Sequence, residues 1–248
     1  MDRRIITQRV RGFALVSVVA LLVAGAALPA EVHPPAPTRL EVVLHTATGL
    51  DPDGQTVFVN LIARCPEGWT VLESSVTVSQ PQASGKGSFP LTCTGLFRSF
   101  TVPVPTSGAP FELGEAQATG FVLVKRGRTA QTQDSQRVSV DPIVFVDLAD
   151  TAQLEAGGGA VSLDVTTACA VGANGQESYV NVSQGQASGN GNYVPVCNGQ
   201  NHTETVRVPA SQGLYQPGTA RGFTFAFVEA GGNSFSGIAE RDLQIVVG

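Results

Sequence analysis

The chain contains an internal duplication with a period of 104 residues, and this feature constrains its fold more than any other. A shift of 104 places VTVSQPQASGKG (residues 76–87) on VNVSQGQASGNG (residues 180–191), and nine of these twelve positions are identical. The alignment needs no gap and continues through TVPVP (101–105) and TVRVP (205–209). Because such a period means that one structural unit occurs twice, we expect two tandem domains of similar fold.

The four cysteines follow the same period. Cys65 and Cys93 are 28 residues apart, as are Cys169 and Cys197. An even number of cysteines in an exported chain indicates disulfides. Of the three possible pairings, the duplication favours Cys65–Cys93 and Cys169–Cys197, because each domain should fold alone. A metal site is disfavoured because the close C-x-x-C spacing of zinc ligands is missing.

Residues 1–30 are predicted to be a secretory signal peptide. They combine a run of arginines with an apolar stretch from Phe13 to Leu28 and small residues up to Ala30. This is the pattern of a positive n-region, an apolar h-region and a peptidase site. We therefore expect a secreted, extracellular protein, associated with the cell envelope, that keeps no stable transmembrane span after signal cleavage. An uncleaved N-terminal anchor is the alternative.

The charge balance argues against a nucleic-acid partner. Without residues 1–30 the chain has 11 basic and 19 acidic residues, a net charge of −8. Nucleic-acid binding needs a basic surface, which this balance does not supply. The acidity is also uneven: residues 31–140 carry eight basic and nine acidic groups, whereas residues 141–248 carry three and ten.

Short alternating apolar segments separated by glycine and proline predict strands throughout the mature chain. About seven fall in residues 31–140 and seven in residues 141–248; the fourth of each set is predicted at residues 89–93 and 193–197. We therefore predict an all-β fold of two tandem immunoglobulin-like (Greek-key) β-sandwich domains, each with one disulfide. The predicted domains are residues 31–140 and 141–248. A small barrel is the alternative.

Several motifs occur in both repeats: a cysteine ending a strand, VSQ-x-QASG-x-G, Cys-x-Gly, a TV-x-VP strand and a G-x-A strand. In these features the chain resembles tandem copies of a small secreted actinobacterial β-sandwich domain of unknown function. The resemblance covers most of each repeat. It implies export and a β-sandwich, and it implies neither an activity nor site residues.

The QASG stretch is the leading candidate for ligand contact because both repeats contain it. Its glutamines, Gln80, Gln82, Gln184 and Gln186, can form hydrogen bonds with a polar ligand. The alternative is a strand that ends in a turn, in which Gly85, Gly87, Gly189 and Gly191 supply positive φ angles.

Three further features occur in one repeat only. Trp69 lies in a CPEGW turn and is a candidate for stacking on a sugar or anchoring a partner, or for packing over the edge of its own domain. Residues 51–54 (DPDG) resemble a calcium loop but also suit a plain turn. Residues 125–128 (KRGR) are expected at a solvated hairpin tip, with an anionic wall polymer as the alternative partner.

No catalytic motif is recognisable, and no cofactor is expected. The predicted function is that of a secreted non-catalytic binding or structural module at the cell envelope, with an unknown extracellular protein or glycan as partner. One alternative is a carbohydrate-binding protein that uses Trp69. The other is a secreted hydrolase or inhibitor.

Overall fold

The computed structural model describes residues 39–248, and β-strands account for most of them. The predicted signal peptide, residues 1–30, lies outside the described residues. Within the described part, the one helical segment is a single 3-10 turn, Ala156–Gly158. No helix between residues 39 and 248 has the length and apolar character that a membrane span requires. The expectation of an all-β fold is confirmed.

Seven strands form the first sheet. They are β1 (Glu41–Leu50), β2 (Thr56–Arg64), β3 (Thr70–Ser79), β4 (Ser84–Ser88), β5 (Phe97–Pro105), β6 (Gly114–Arg126) and β7 (Arg128–Pro142). Their spatial order is β4-β3-β6-β7-β1-β2-β5. A bridge between Gly85 and Thr106 brings β4 beside the end of β5. The two ends of the sheet therefore meet, and the sheet is barrel-like.

Eight strands form the second sheet. They are β8 (Phe145–Leu154), β9 (Ala160–Ala168), β10 (Asn174–Gly175), β11 (Ser178–Gln184), β12 (Ala187–Tyr193), β13 (His202–Gln212), β14 (Gly218–Ala230) and β15 (Asn233–Val247). Their order is β10-β14-β11-β12-β13-β9-β8-β15, and β15 pairs back onto β14. This sheet is also closed on itself, and the short β10 lies beside β14 at its margin.

Each sheet encloses its own apolar core because side chains alternate between the two faces of a strand. In β2, for example, Val57, Val59, Leu61 and Ala63 are buried, whereas the residues between them are half-buried or exposed. Valine, leucine and alanine dominate both cores. The alternation that predicts strands from the sequence is thus also what fills the two barrels.

The first strand of each sheet contains an irregularity at the same place. The register of β1 shifts between Leu44 and Thr48, and that of β8 between Leu148 and Ala152. Beyond these points β1 also runs parallel to β7, and β8 runs parallel to β15. The first irregularity is held by Asp134, whose carboxylate accepts the Leu44 N–H at 2.9 Å. Bulges of this kind bend a strand and let it join two neighbours.

Only two residues separate the last strand of the first sheet from the first strand of the second, since β7 ends at Pro142 and β8 begins at Phe145. Leu113, from the loop before β6, packs against the cluster that surrounds Cys169. The backbone of Pro52 lies against Gly199. With these contacts, the described residues 39–248 belong to one compact unit.

Two disulfides join Cys65 to Cys93 and Cys169 to Cys197, with Cα atoms 4.5 Å and 4.7 Å apart. Cys65 and Cys169 are buried. Two residues after the second cysteine of each pair, a glycine N–H donates to the carbonyl of the first cysteine. That glycine has a φ near +78° in both repeats (Gly95, +78°; Gly199, +79°), a conformation that favours glycine. The repeated Cys-x-Gly motif is therefore a turn that closes over the disulfide.

The fourth strand of each repeat lies elsewhere than the sequence predicts. Residues 89–93 and 193–197 were predicted as strands, but the strands are Ser84–Ser88 and Ala187–Tyr193. They include the glycines of the QASG motif, and none of Gly85, Gly87, Gly189 and Gly191 has a positive φ. Both predictions, of strand position and of positive φ, were wrong. Intrinsic propensity disfavours glycine in strands, but here close packing against the next strand decides.

Candidate functional site

The first glutamine of each QASG stretch forms hydrogen bonds with the backbone of its own repeat. Gln80 donates from Nε2 to the Glu112 carbonyl at 2.8 Å and accepts the Glu112 N–H at 2.9 Å. Gln184 does the same with Gln216, at 2.8 Å and 2.9 Å. The side-chain amide of each glutamine thus forms the same pair of hydrogen bonds with a backbone amide that a neighbouring strand would form. Both glutamines have a structural role, and their contact with a ligand stays a prediction.

The second glutamine of each stretch, Gln82 or Gln186, is exposed at the tip of a hairpin. The alanine that follows it is buried in both repeats. In the second repeat the tip is the two-residue turn Gly185-Gln186, with Gly185 at φ +57°. The structure leaves these two side chains accessible, so their role as ligand contacts also stays a prediction.

The glycines of the motif let two strands approach more closely than any side chain would allow. A Cβ atom on Gly85 or Gly87 would overlap the carbonyl oxygen of Pro105 or Pro103, both in β5. On Gly189 and Gly191 it would overlap the carbonyl oxygens of Pro209 and Arg207, in β13. In the first repeat these contacts lie where the ends of the sheet meet, and in the second they lie between the paired strands β12 and β13. The QASG-x-G motif therefore has a structural explanation in both repeats.

Trp69 is half-buried and packs against the core of the first repeat. This position agrees with the alternative of a tryptophan that covers the edge of its own domain. Its counterpart, Ala173, is buried beside the second disulfide. A ligand contact by Trp69 stays a prediction.

The two loops with charged residues are both turns. Gly54 has a φ of +73° and its N–H donates to the Asp51 carbonyl, so DPDG closes a turn before β2. Burial, and secondarily the charge of Asp53, raise the pKa of Asp51. KRGR is the tip of the β6–β7 hairpin, where Arg126 pairs with Arg128 around Gly127. Among the described residues no group of three acidic, histidine or cysteine side chains could hold a metal ion.

A cavity of about 670 Å³ lies between the two repeats. Most of its lining residues are apolar or glycine; they are Leu50, Pro52 to Gly54, Ala109 to Gly114, Ala170 to Gly172, and Ala230 and Gly231. It offers two carboxylates, Asp53 and Glu112, and no side chain suited to nucleophilic chemistry.

A cluster of aromatic rings covers the outer face of the second sheet. We call Tyr179, Phe223, Phe225, Phe227 and Ile238 the aromatic face. The Phe225 and Phe227 rings are nearly parallel, with centroids 5.5 Å apart, and Phe223 meets Phe225 edge-on at 4.9 Å. Tyr179, on the neighbouring strand β11, lies 5.4 Å from Phe225. Ile238, opposite Phe225 on β15, is 59% exposed.

The rings point outward because β14 carries its small residues inward. Gly222, Thr224, Ala226 and Val228 are buried, so the intervening phenylalanines are on the opposite face. Sequence analysis missed this face. The signal was the alternation FTFAF (residues 223–227), in which phenylalanines alternate with small residues that the narrow interior accepts.

A buried hydrogen-bond network holds β14 in place beneath the aromatic face. Thr224 donates to the Tyr179 carbonyl at 3.0 Å, and the Tyr193 hydroxyl donates to the Phe225 carbonyl at 3.1 Å. The two hydroxyl oxygens are 2.8 Å apart. Burial raises the pKa of Tyr193 from the ordinary 10.0 to about 12. These hydrogen bonds therefore hold β14, the strand that carries the phenylalanines, from the inner side of the sheet.

One end of the aromatic face opens into a surface pocket of about 460 Å³. Tyr179 and Phe227 supply two ring walls, with centroids 6.4 Å apart. Glu177, Asn190 and Asn192 supply polar walls. Asn192 donates to the Glu177 carboxylate at 2.8 Å. The pocket can therefore offer both ring faces and a carboxylate to a ligand.

The first repeat provides an internal comparison for each position of the face. At the shift of 104 residues, Tyr179, Phe223 and Phe227 correspond to Ser75, Thr119 and Leu123, and only Phe225 keeps a phenylalanine, Phe121. Ile238 pairs with Phe225 as Gln133 pairs with Phe121, so Gln133 is its counterpart. The same fold is thus made with a largely polar face. The aromatic face is not a requirement of the fold, and this makes it the best candidate for a functional site.

No family model matches the chain, and no curated protein matches it. Among solved structures, the fibronectin(III)-like modules of Clostridium thermocellum CbhA are similar at 14% identity, over 84% of this chain and 95% of that one, with a TM-score of 0.25. A conserved domain protein from Bacillus anthracis is similar at 10% identity, over 84% and 87%, with a TM-score of 0.28. Similarities this weak support no statement about fold or function.

Proposed function

We propose that the chain is a non-catalytic binding protein of the extracellular space, and that the aromatic face of its second repeat is the binding surface. The observation that carries the proposal is the contrast between the two repeats at matching positions. The three phenylalanines are half-buried and Tyr179 is 36% exposed, so the rings are partly accessible to solvent, and partly exposed aromatic clusters are typical of binding surfaces. Export depends on the predicted signal peptide, and the two disulfides are compatible with it.

We also propose that each repeat is an immunoglobulin-like Greek-key variant. The strand orders support this, since β3, β4, β6 and β7 are neighbours on one side and β1, β2 and β5 on the other. The parallel pairing of β1 with β7 links the two sides. In this arrangement the aromatic face is on the outer side of β11, β14 and β15.

An exchange variant tests the proposed surface. Tyr179→Ser, Phe223→Thr and Phe227→Leu together place the residues of the first repeat on the second, so the fold should tolerate them. The matched control is Leu214→Thr, which removes a 58% exposed apolar side chain beside Gly158, in the loop before β14. The experiment immobilises each mature protein and measures which cell-envelope and secreted components of the producing organism it retains.

We expect the wild type and the Leu214→Thr control to retain a component that the exchange variant does not. Circular dichroism and the melting temperature show whether all three proteins are folded. If all three retain the same components, or if none retains any, the aromatic face is not a binding surface. The alternatives of a carbohydrate-binding protein that uses Trp69 and of a secreted hydrolase or inhibitor stay predictions.

A further inference from the structure

We propose that the aromatic face binds the cationic side chains of a basic polypeptide, with an arginine or lysine seated between Tyr179, Phe227 and Glu177. This inference depends on the proposed function, because it names the partner of the same surface. Two observations beyond the rings carry it: the carboxylates at one end of the face, and the loss of the cations that neutralise this region in the first repeat.

The carboxylates of Glu177 and Glu229 lie at the pocket end of the aromatic face. Glu177 lines the pocket with Phe227, and Glu229 follows Phe227 by two residues on the same side of β14. Glu177 accepts a hydrogen bond from Asn192, and Glu229 accepts one from Gln176 at 3.4 Å. Among residues 39–248 neither has an ion-pair partner.

The second repeat has no spare cation for them. Its three basic residues are all in ion pairs elsewhere: Arg207 with Glu155, Arg221 with Glu240, and Arg241 with Asp147 and Asp150. Against these three stand ten acidic residues in residues 141–248. Among the described residues of the second repeat, therefore, no basic side chain is free to neutralise Glu177 and Glu229.

In the first repeat the same positions are neutralised internally. Glu73, the counterpart of Glu177, forms an ion pair of 2.7 Å with Lys86. This contact lowers the pKa of Glu73, chiefly through the hydrogen bond from Lys86. Asn190 replaces Lys86 in the second repeat, and Glu229 replaces Lys125. The chain has two lysines, both in the first repeat, and neither has a lysine counterpart on the face of the second repeat that carries the aromatic rings.

A cation that contacts a ring face and a carboxylate at once satisfies both kinds of group. The quadrupole of an aromatic ring attracts a guanidinium or ammonium, and the planar guanidinium also stacks on rings. The first repeat contains this combination within itself. Arg64 lies 4.4 Å from the ring centroid of Phe97 and donates to Glu41 at 2.7 Å. The pocket beside Glu177 offers the same two partners without the arginine.

The charges favour a basic polypeptide over other occupants. A second copy of the chain would oppose unpaired carboxylates to unpaired carboxylates, and an acidic polymer would be repelled in the same way. A neutral glycan would stack on the rings but would leave Glu177 and Glu229 without a counter-charge. A polypeptide with several arginines or lysines complements the rings and both carboxylates.

The test titrates the mature protein with a nona-arginine peptide and with a nona-citrulline peptide of almost the same shape, which lacks the charge. Two variants should weaken the proposed binding. The first combines Glu177→Gln with Glu229→Gln, and the second is Asn190→Lys, which places the lysine of the first repeat beside Glu177. The matched control combines Asp164→Asn with Asp141→Asn, which also removes two negative charges, but from exposed or half-buried positions outside the face. Calorimetry at two salt concentrations measures the affinity.

We expect the citrulline peptide, the double glutamine variant and Asn190→Lys each to weaken binding about tenfold, a loss of the size that one ring-and-carboxylate contact supplies. The control should stay close to the wild type, and salt should weaken binding. Equal losses in the variants and the control would mean diffuse attraction by net charge and would overturn the inference. So would the absence of arginine-peptide binding.

Two further outcomes identify other occupants and overturn the inference. Binding of cellohexaose or chitohexaose that the double glutamine variant leaves unchanged would indicate a neutral glycan. Self-association that the exchange variant abolishes, measured by sedimentation, would indicate a second copy of the chain. In both cases the aromatic face would still be a binding surface, but its partner would not be a basic polypeptide. If the exchange variant behaves as the wild type in every assay, both proposals fail.

Discussion

Gly85 lies directly against the carbonyl oxygen of Pro105, with no room for a Cβ atom between the two strands. Gly189 has the same relationship to Pro209 in the second repeat. The contact joins β4 to β5, where the ends of the first sheet meet, and β12 to β13, which are paired strands within the second sheet. A motif that resembles a ligand-binding loop in the sequence is therefore a seam between two closely packed strands.

Alanine at the seam should destabilise the protein. In Gly85→Ala and Gly189→Ala the added methyl group overlaps a backbone carbonyl, which moves only with its strand, so we expect a loss of about 2 to 3 kcal/mol in the free energy of unfolding. Chemical denaturation measures it. The control is Gly108→Ala, where the added Cβ meets no atom within 4 Å. A loss at Gly108 as large as at Gly85 would refute the steric explanation.

The two glutamines of each QASG stretch should differ in their effect on stability. Gln184→Ala removes a pair of hydrogen bonds to Gln216 and a longer one, of 3.3 Å, to the Thr219 carbonyl, so we expect a loss of about 1 to 2 kcal/mol. Gln186→Ala, at the exposed tip, should change stability by less than about 0.5 kcal/mol. Thermal and urea unfolding of the two variants compare them. Equal effects would show that the amide pairing of Gln184 contributes nothing.

The second repeat should lose stability in alkali through two buried tyrosines. Burial raises the pKa values of Tyr193 and Tyr215 to about 12 from the ordinary 10.0. Because the folded-state pKa is the higher one, their stabilisation is complete below about pH 10 and is lost as the pH rises towards 12. At pH 11 each tyrosine should account for a loss of about 1 kcal/mol.

Phenylalanine variants isolate this effect, because the first repeat already has Phe89 and Phe111 at the matching positions. In Tyr193→Phe with Tyr215→Phe, the free energy of unfolding should fall less steeply between pH 9 and 11 than in the wild type. Urea unfolding at several pH values gives the slope. Identical slopes would show that neither hydroxyl titrates differently in the folded and unfolded states.

The disulfides should contribute similarly to the two repeats, since each closes a loop with the same separation of 28 residues. Replacing Cys65 and Cys93 by alanine, or Cys169 and Cys197, should each cost about 3.5 kcal/mol in the chain-entropy model. Denaturation under non-reducing conditions measures both. Peptide mapping that found Cys65 bonded to Cys169 would instead contradict the assigned pairing.

The sequence predicted most of the strands but misplaced the fourth of each repeat. Ser178–Gln184, the strand β11, has the alternation of buried and more exposed side chains that predicts a strand. The next strand was placed too late, at residues 193–197, since Ala187–Tyr193 has four consecutive strand-disfavouring residues, the GNGN of residues 189–192. Only the proximity of β13 makes glycine the residue that fits there.

For the candidate site too, the features that stand out in the sequence differ from those that the tertiary structure brings together. The glutamines and Trp69 were singled out because they are polar or rare in the sequence, but Gln80, Gln184 and Trp69 contact their own repeat. The aromatic face was missed, since a phenylalanine in an alternating strand is normally assigned to the core. Which side of the strand faces inward depends on the width of the barrel, and small residues occupy the inside of β14.

By itself the sequence determined what repeats and local patterns encode: the duplication, the all-β class, the cysteine spacing and the excess of acid in the second half. The tertiary structure decided how the two sheets close, which glycines form the seam, and that Tyr179, on β11, meets Phe225 and Phe227, on β14. These facts depend on contacts between strands that are 20 residues or more apart in the chain, and on which face of a strand is buried. Local sequence does not specify them, because alternation defines two faces of a strand and the surrounding strands choose between them.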